Sequence, residues 1–205
     1  MSALPNRDRK AERREATRRE IVEAAWDVAR DEGLENVTLR AVAERVGMRS
    51  PSLYTHFESK NAIYDAMFGQ AWGEYLALIE GLDAKLPTEP RKAIAFMVGT
   101  FIDYCLADLP RFQLMNQRVV ADFTPSEESY APSVQVYEDF VARMRRVGIT
   151  KREDVDLLAA LVGGLIDAQW ANDPGGTRYV AQLPRVLDMY ADEFGVPGPR
   201  LGRKK

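Results

Sequence analysis

The sequence is poor in the residues that build disulfides and zinc sites, since its 205 residues include one cysteine, Cys105, and one histidine, His56. A single cysteine excludes a disulfide within the chain, and together the two residues cannot assemble a usual His/Cys structural zinc site. No run of about 18 apolar residues occurs, and the N-terminus is charged rather than an apolar signal peptide. We therefore expect no membrane span and a cytoplasmic location.

Signatures of enzymes are missing as well. The chain has no serine elbow, Walker motif, dinucleotide-binding motif or zinc motif. His56 falls in a short polar segment, and Cys105 falls in an apolar one with no histidine near it in sequence. We expect a protein that is not an enzyme and that needs no cofactor or metal; acid–base chemistry by carboxylates of the second half is the open alternative. No strand-like alternation of any length occurs, which predicts an all-α fold.

What the sequence does contain is a pair of short helical patterns over residues 38 to 57. The first pattern has apolar residues at spacings of three and four, with Thr38 placed as its N-cap and Gly47 placed to end it in a left-handed conformation. Its apolar stripe comprises Leu39, Val42, Ala43 and Val46.

The second pattern starts within about three residues of Gly47. Ser50 is predicted to cap it and Pro51 to occupy its first helical position, while Leu53 and Phe57 point inward. The rest of this helix is polar on its outer arc. Two helices joined by a short glycine-containing turn form the helix-turn-helix that enters the DNA major groove. An ordinary helical hairpin explains the pattern alone equally well.

The residue types decide between these alternatives, because residues 33 to 60 resemble the DNA-binding domain of the tetracycline-repressor (TetR) family of transcriptional regulators. Two positions depart from the family pattern and bear on the operator sequence: Thr55 is smaller than the usual aromatic residue or histidine, and Asn61 replaces a frequent acidic residue. The resemblance rests on Thr38, Gly47, Leu53, Tyr54, Phe57 and Lys60.

The resemblance implies two roles for the residues of this segment. Arginine can fork onto guanine, whereas hydroxyl groups, tyrosine and lysine hold the phosphate backbone without reading sequence. The positions implied to read bases are Arg40, Arg49, Ser50, Pro51 and Ser52. The positions implied to hold phosphates are Thr38, Ser52, Tyr54, His56 and Lys60, and Thr55 completes the DNA-binding set.

Charge is distributed unevenly along the chain, although the net charge is −3. Residues 1 to 60 carry 12 basic and 11 acidic side chains, residues 61 to 195 carry 12 and 20, and residues 196 to 205 carry four and none. We predict three parts with these limits: an N-terminal arm with the DNA-binding domain, a helical regulatory and dimerisation domain, and a basic tail. The basic arm either touches DNA or is simply solvated.

Further helices are predicted along the chain from apolar spacing and caps. One covers 13 to 32, and its apolar stripe, with Trp26 at its middle, is expected to face the interior. A long one that Ser59 caps runs to about Gly81. An almost entirely apolar helix covers 89 to 108 and is expected to be buried. Others cover 134 to 148 and 177 to 194, and Pro184 kinks the last of these or resets its first turn. Capping boxes are predicted at Thr124–Glu127, for a short helical turn within a loop, and at Thr150–Glu153, for a helix that ends near Asn172.

In the TetR family, which this chain resembles, the last two helices usually pair with those of a second copy. We therefore predict a homodimer through these helices, whose two helix-turn-helix units meet half-sites of palindromic double-stranded DNA. Gly163 and Gly164 indicate close helix packing or, alternatively, a kink beside a cavity.

The second half is also predicted to enclose a small, mostly apolar effector. Core packing alone is the competing explanation for each of its candidate residues. These candidates are Phe101, Tyr104, Cys105, Met115, Asp167, Gln169 and Trp170. The function expected is that of a ligand-responsive, sequence-specific transcriptional regulator, a repressor released from its operator by the effector. The alternatives are a helical small-molecule-binding protein or enzyme without specific DNA binding, and a structural dimer or non-specific RNA binder.

Overall fold

The computed structural model describes residues 9 to 202, apart from the side chain of Asp83. This range contains helices and no strand, so the all-α prediction is confirmed. The helices are α1 (Arg9–Glu32), α2 (Leu39–Val46), α3 (Ser50–Tyr54), α4 (Lys60–Glu80), α5 (Pro90–Leu106), α6 (Leu109–Asn116), α7 (Glu127–Arg146), α8 (Arg152–Asn172) and α9 (Leu183–Glu193). The start of the basic arm and residues 203 to 205 of the tail lie outside the described residues.

The chain folds into two compact units. The first takes the described residues up to Ala71 together with Gln113–Tyr130, and the second takes Trp72–Phe112 with the residues from Ala131 onward. The chain therefore passes from one unit to the other inside α4. The predicted limits at residues 60 and 195 concern functional domains, and they stay a prediction.

The first unit is built on the apolar stripe of α1. Ile21 and Ala25 are completely buried, and Trp26 is only 3% exposed. Helices α1 and α2 pack against each other, and the core continues with Leu53 of α3 and Ile63 of α4, both completely buried. The interior role that the α1 spacing predicts is therefore confirmed.

Three predicted caps are wrong, and the first two belong to α3 and α8. Arg49 rather than Ser50 is the N-cap residue of α3, and no side chain caps that helix. Ser50 is instead the first helical residue, and Pro51, predicted to be first, is the second. The Arg49 carbonyl accepts from the backbone N–H of Ser52 (2.8 Å) and Leu53 (3.3 Å). Lys151 likewise replaces the predicted Thr150 cap of α8.

The segment before α7 also differs from the prediction. The short helical turn predicted near Glu127 and the helix predicted from residue 134 belong to one helix, α7, which begins at Glu127 and includes Pro132. Ser126 rather than the predicted Thr124 is its capping side chain, since the Ser126 Oγ accepts from the backbone N–H of Ser129 at 3.2 Å. The proline lies in the second turn, and the helix continues past it.

The second unit has its core between α5, α8 and α9, which contact one another. Helix α5 buries one face rather than its whole circumference, with Ile94, Val98 and Ile102 inside. Pro184 lies in the first turn of α9, after a short 3-10 helix at Val180–Gln182. Of the two predicted alternatives, a kink or a reset first turn, the structure shows that Pro184 resets the first turn.

Candidate nucleic-acid interface

Helix α2 and the turn after it have the local geometry that their sequence predicts. The Thr38 hydroxyl accepts from the backbone N–H of Ala41 at 3.1 Å, which caps the helix. Gly47 has φ 72°, where a side chain would be strained, and the N–H of Met48 reaches the Ala43 carbonyl at 2.8 Å. This closed turn fixes where α3 begins.

Helix α3 is anchored by its apolar residues and presents its polar ones to solvent. Leu53 is completely buried, and Phe57, which follows the helix, is 2% exposed. Tyr54 is 55% exposed despite its large ring. The exposed residues predicted to contact DNA on and beside this helix are Arg49, Pro51, Ser52, Tyr54 and Thr55, and Ser50 is half-buried.

Arg40 lies on the exposed face of α2, with 85% of its side chain accessible. Its Nε donates to Oε1 of Glu44 at 2.9 Å. This hydrogen bond and the Glu44 charge raise the pKa of the Arg40 guanidinium, which remains a cation. The hydrogen bond engages Nε and so holds the Arg40 guanidinium beside Glu44 on the exposed face of α2.

Lys60 and His56 differ in how well they are placed to hold phosphate. Lys60 is exposed in the first turn of α4, with Nζ 5.6 Å from the Tyr64 ring centroid. Ser59 caps this helix as predicted, accepting from the Ala62 N–H at 3.1 Å. His56 is half-buried, and its Nδ1 is inaccessible and has no hydrogen-bond partner among the described residues.

Two arginines of α1 that the spacing did not single out lie at the end of α3. Arg14 Nη2 is 3.4 Å from the carbonyl oxygen of Thr55. Arg18 donates from Nη1 to the His56 carbonyl, and its guanidinium lies 4.1 Å from the Phe57 ring centroid. A sequence signal existed, because Arg14 and Arg18 continue the apolar stripe of α1 at a spacing of four.

The second unit holds an aromatic cluster of Trp72, Tyr75, Phe101 and Tyr104. The Phe101 ring lies 5.3 Å from Tyr75 and 6.3 Å from Trp72, and Tyr104 lies 5.1 Å from Tyr75. Burial is the main cause that raises the pKa of the Tyr75 hydroxyl and brings that of Tyr104 to about 12. Both hydroxyls therefore stay neutral near pH 7. Phe101 and Tyr104 are two of the predicted effector contacts.

The other predicted effector residues occupy different surroundings. Cys105 is completely buried in the core of the second unit, whereas Met115, 7% exposed, belongs to the first unit. Gln169 is 1% exposed, and its carbonyl oxygen accepts from the Tyr179 N–H at 2.9 Å while its amide donates to the Asp173 carbonyl. These bonds commit Gln169 to the turn after α8.

Asp167 and Trp170, at the end of α8, complete the predicted set. Asp167 is exposed. Trp170 packs against the core of the second unit, and its indole Nε1 is inaccessible with no hydrogen-bond partner within residues 9 to 202. An indole N–H in such a position is available to an acceptor atom that the chain does not supply.

The described part of the chain lacks both a cluster of metal-ligating residues and a single helix suited to crossing a membrane. No group of three or more His, Cys, Asp or Glu residues there could hold a metal ion. No single described helix has the length and apolar character to cross a membrane; only the bent pair Pro90–Leu106 and Leu109–Asn116 passes by length and composition.

Comparison with known proteins places residues 21–67 in the family described as "Bacterial regulatory proteins, tetR family". The chain is 25% identical over 187 residues to the tetracycline repressor protein class A from transposon 1721 of Escherichia coli, covering 87% of this chain and 81% of the relative. It is 40% identical to the Escherichia coli class C tetracycline repressor over 50 residues, which cover 24% of this chain and 23% of the relative.

The fold of the chain is also similar to that of solved structures. The transcriptional regulator FadR from Bacillus subtilis, in complex with stearoyl-CoA, superimposes with a TM-score of 0.65 at 16% identity. The match covers 84% of this chain and 96% of that protein. At this identity the likeness shows a shared fold.

Proposed function

We propose that this chain, which belongs to the tetR family of bacterial regulatory proteins, is a cytoplasmic, ligand-responsive repressor that binds palindromic operator DNA as a homodimer. The carrying observation is the orientation of α3. Its apolar side chain Leu53 is completely buried, while Arg49, Pro51, Ser52 and Tyr54 are exposed together. A short helix held by an apolar anchor and open on its polar arc suits insertion into the major groove.

The exposed face separates by chemistry into a base-reading set and a phosphate-binding set. Arg40 and Arg49 can donate two hydrogen bonds to guanine O6 and N7, which distinguishes base pairs. Thr38, Tyr54 and Lys60 can hold phosphate oxygens, which sets the position of the helix but reads no sequence. We assign His56 to the phosphate-binding set as well. Its contact with the DNA backbone would use its exposed atoms, since its Nδ1 is inaccessible.

A second copy is proposed to cover an exposed apolar face of α8 and α9. Leu157 and Leu161 are 48% and 40% exposed on α8, and Met189 is 64% exposed on α9. Gly164 lies one turn from Leu161, and a Cβ built on it meets nothing within 4 Å. Its own chain therefore does not require a glycine there, whereas a closely approaching partner helix would. This face supports a symmetric dimer.

The effector is proposed to be small and largely apolar, and to bind beside Phe101, Tyr104 and Trp170. Trp72 and Tyr75 of the aromatic cluster lie on α4, the helix that begins at Lys60. A rearrangement of the cluster would therefore act on the helix that starts at the DNA face. By linkage, an effector that releases DNA must bind the DNA-free form more tightly than the DNA-bound form.

The roles are tested by comparing Arg40→Ala and Lys60→Ala in salt titrations of binding to selected operator and random duplex. Arg40→Ala should weaken operator binding by roughly 10- to 100-fold and relax base preference at one position, because it removes a base contact. Lys60→Ala should weaken binding to both duplexes similarly and lower the salt slope by about one unit. Glu44→Gln serves as the control, since it removes the negative charge beside Arg40 and leaves the guanidinium in place.

Equal effects of the two alanine substitutions on sequence preference would contradict these assignments.

A helical small-molecule-binding protein is the alternative function, and the aromatic cluster is what favours it. Such a protein would be stabilised by apolar compounds in thermal unfolding but would show no preference for any duplex sequence.

A further inference from the structure

Two arginines of α1, Arg14 and Arg18, contact the C-terminal end of the short helix α3 and help to hold it in place. Helix α3 has five residues, too few to be stable by backbone hydrogen bonding alone. Its last turn is closed by the N–H groups of His56 and Phe57, which reach the Leu53 carbonyl at 2.9 and 3.0 Å. The carbonyls of Thr55 and His56 come next and would need other donors.

The arginines of α1 supply those donors. Arg14 reaches the Thr55 carbonyl at 3.4 Å, and Arg18 donates to the His56 carbonyl. Cationic side chains at a helix C-terminus also interact favourably with its dipole. Arg18 is further fixed by lying 4.1 Å over the ring of Phe57, which is 2% exposed. Its guanidinium is thus held by a carbonyl and by an aromatic face at once.

Arg14 and Arg18 are one turn apart on α1, directly before the buried stripe that starts at Ile21. The same helix face that buries Ile21 therefore carries both guanidiniums to α3. A basic residue in an N-terminal arm would ordinarily be assigned to phosphate binding. Here the hydrogen bonds to backbone carbonyls and the stacking on Phe57 give these side chains a different use.

We propose that Arg18, assisted by Arg14, is a positioning residue that fixes the orientation of α3 for base reading and does not contact phosphate. This inference rests on the proposed DNA-binding function. It assigns Arg18 an indirect part in specificity: the guanidinium holds the C-terminal end of α3, and α3 in turn places Arg49 and Ser52 against the bases. Lysine cannot replace it fully, because an ammonium group lacks the planar fork and stacks less well.

The test uses the full chain with Arg18→Met, Arg18→Lys and Arg19→Ala. Methionine keeps an unbranched stem over Phe57 and removes the guanidinium. Arg19 is the matched control, since it is adjacent in sequence but lines a surface groove between α1 and α2 with Glu23 and Arg45. Affinity for selected operator and for random duplex is measured against salt. The imidazole proton resonances of His56, the sole histidine, are recorded without DNA.

Arg18→Met should lower operator affinity by roughly tenfold or more and leave the salt slope unchanged, so that the ratio of specific to non-specific affinity falls. The His56 resonances should shift in the DNA-free protein, and Arg18→Lys should recover only part of the specificity. Arg19→Ala should leave the His56 resonances and the specificity ratio unchanged.

A salt slope lowered by about one unit, with unchanged His56 resonances, would show a phosphate contact and overturn the inference. An unchanged specificity ratio in Arg18→Met would overturn it as well. Absence of any sequence preference in the unaltered chain would instead contradict the proposed function, and the His56 resonances would still report on the contact itself.

Discussion

At the scale of single residues, Arg91 shows how a buried charge is accommodated. It is 8% exposed, and its Nη2 lies 2.7 Å from Asp192 while its Nη1 lies 3.4 Å from Asp188. Its Nε donates to the Val196 carbonyl at 3.1 Å. Asp188 also accepts from the N–H groups of Leu201 and Gly202, at 2.8 and 3.0 Å. The network therefore fastens the segment after α9 to α5 and α9.

The two carboxyls of this network should make stability depend on acid. Burial alone would raise the pKa of Asp188, but the Gly202 and Leu201 N–H groups and Arg91 together hold it below its ordinary value. The hydrogen bond from Arg91 is the main cause that lowers the pKa of Asp192. Because both native values are depressed, this stability is present above the unfolded pKa of about 3.9 and is lost as the pH falls below it.

Asp188→Asn should lower the free energy of unfolding at pH 7 by about 1–3 kcal/mol, because it leaves Arg91 less well compensated in a buried place. Its unfolding should also depend less on pH below about 4. Urea unfolding at several pH values measures both effects. Glu138→Gln is the control: it breaks an exposed pair with Arg152, 2.6 Å long, and should change stability little. Equal losses in the two variants would contradict the explanation.

Residue-scale predictions succeeded where the determinant is local. The Thr38 cap, the left-handed Gly47 and the inward Phe57 depend on neighbours within a few positions. The predicted Ser50 cap was wrong because the backbone carbonyl of Arg49 accepts the first hydrogen bonds of α3. The pairing of Arg91 with Asp188 joins residues 97 positions apart, which no local pattern records. DNA contacts of individual side chains stay a prediction.

At the scale of elements, the start of α7 is fixed by a residue of α4. The Asp65 carboxylate accepts from the Ser126 N–H at 2.7 Å and from the hydroxyls of Ser126 and Ser129 at 2.8 Å each. The Phe123 ring packs 5.7 Å from that of Tyr64. These contacts explain why Gln113–Tyr130 belongs to the unit that contains the helix-turn-helix.

Asp65→Asn should lower the free energy of unfolding by about 1–2 kcal/mol, because an amide places donors against the donors of Ser126 and Ser129. Chemical denaturation followed by helical circular dichroism measures it. Asp27→Asn is the comparison, since Asp27 only pairs with Arg30 at the surface of α1. A loss no larger than that of Asp27→Asn would show that Asp65 does not secure the start of α7.

Element boundaries were predictable where apolar spacing and helix ends coincide. The long helix from Ser59 and the reset of α9 at Pro184 are examples. The start of α7 was missed because its first turn is polar and its second contains Pro132, and because the stabilising carboxylate of Asp65 lies 61 positions before Ser126. The predicted burial of α5 on all sides was too extensive, since the same apolar composition also forms the half-buried aromatic cluster at Phe101 and Tyr104.

At the scale of the whole molecule, three features of one chain bear on DNA binding. The helix-turn-helix carries an exposed polar arc, α8 and α9 carry an exposed apolar face, and the excess of acidic over basic residues lies in residues 61 to 195. A symmetric dimer would present two copies of α3 to half-sites separated by roughly 34–36 Å, one turn of DNA. The operator sequence and the effector depend on side-chain complementarity that the chain alone does not specify.

The most direct test of this account is selection of bound sequences from a random library of double-stranded DNA by the full-length protein. A dimer that reads bases through Arg40 and α3 should enrich an inverted repeat, with two identical half-sites about one helical turn apart. Enrichment of a single, non-repeated site would contradict the proposed dimer on DNA. No enrichment of any sequence over the starting library would contradict the central claim that this chain is a sequence-specific regulator.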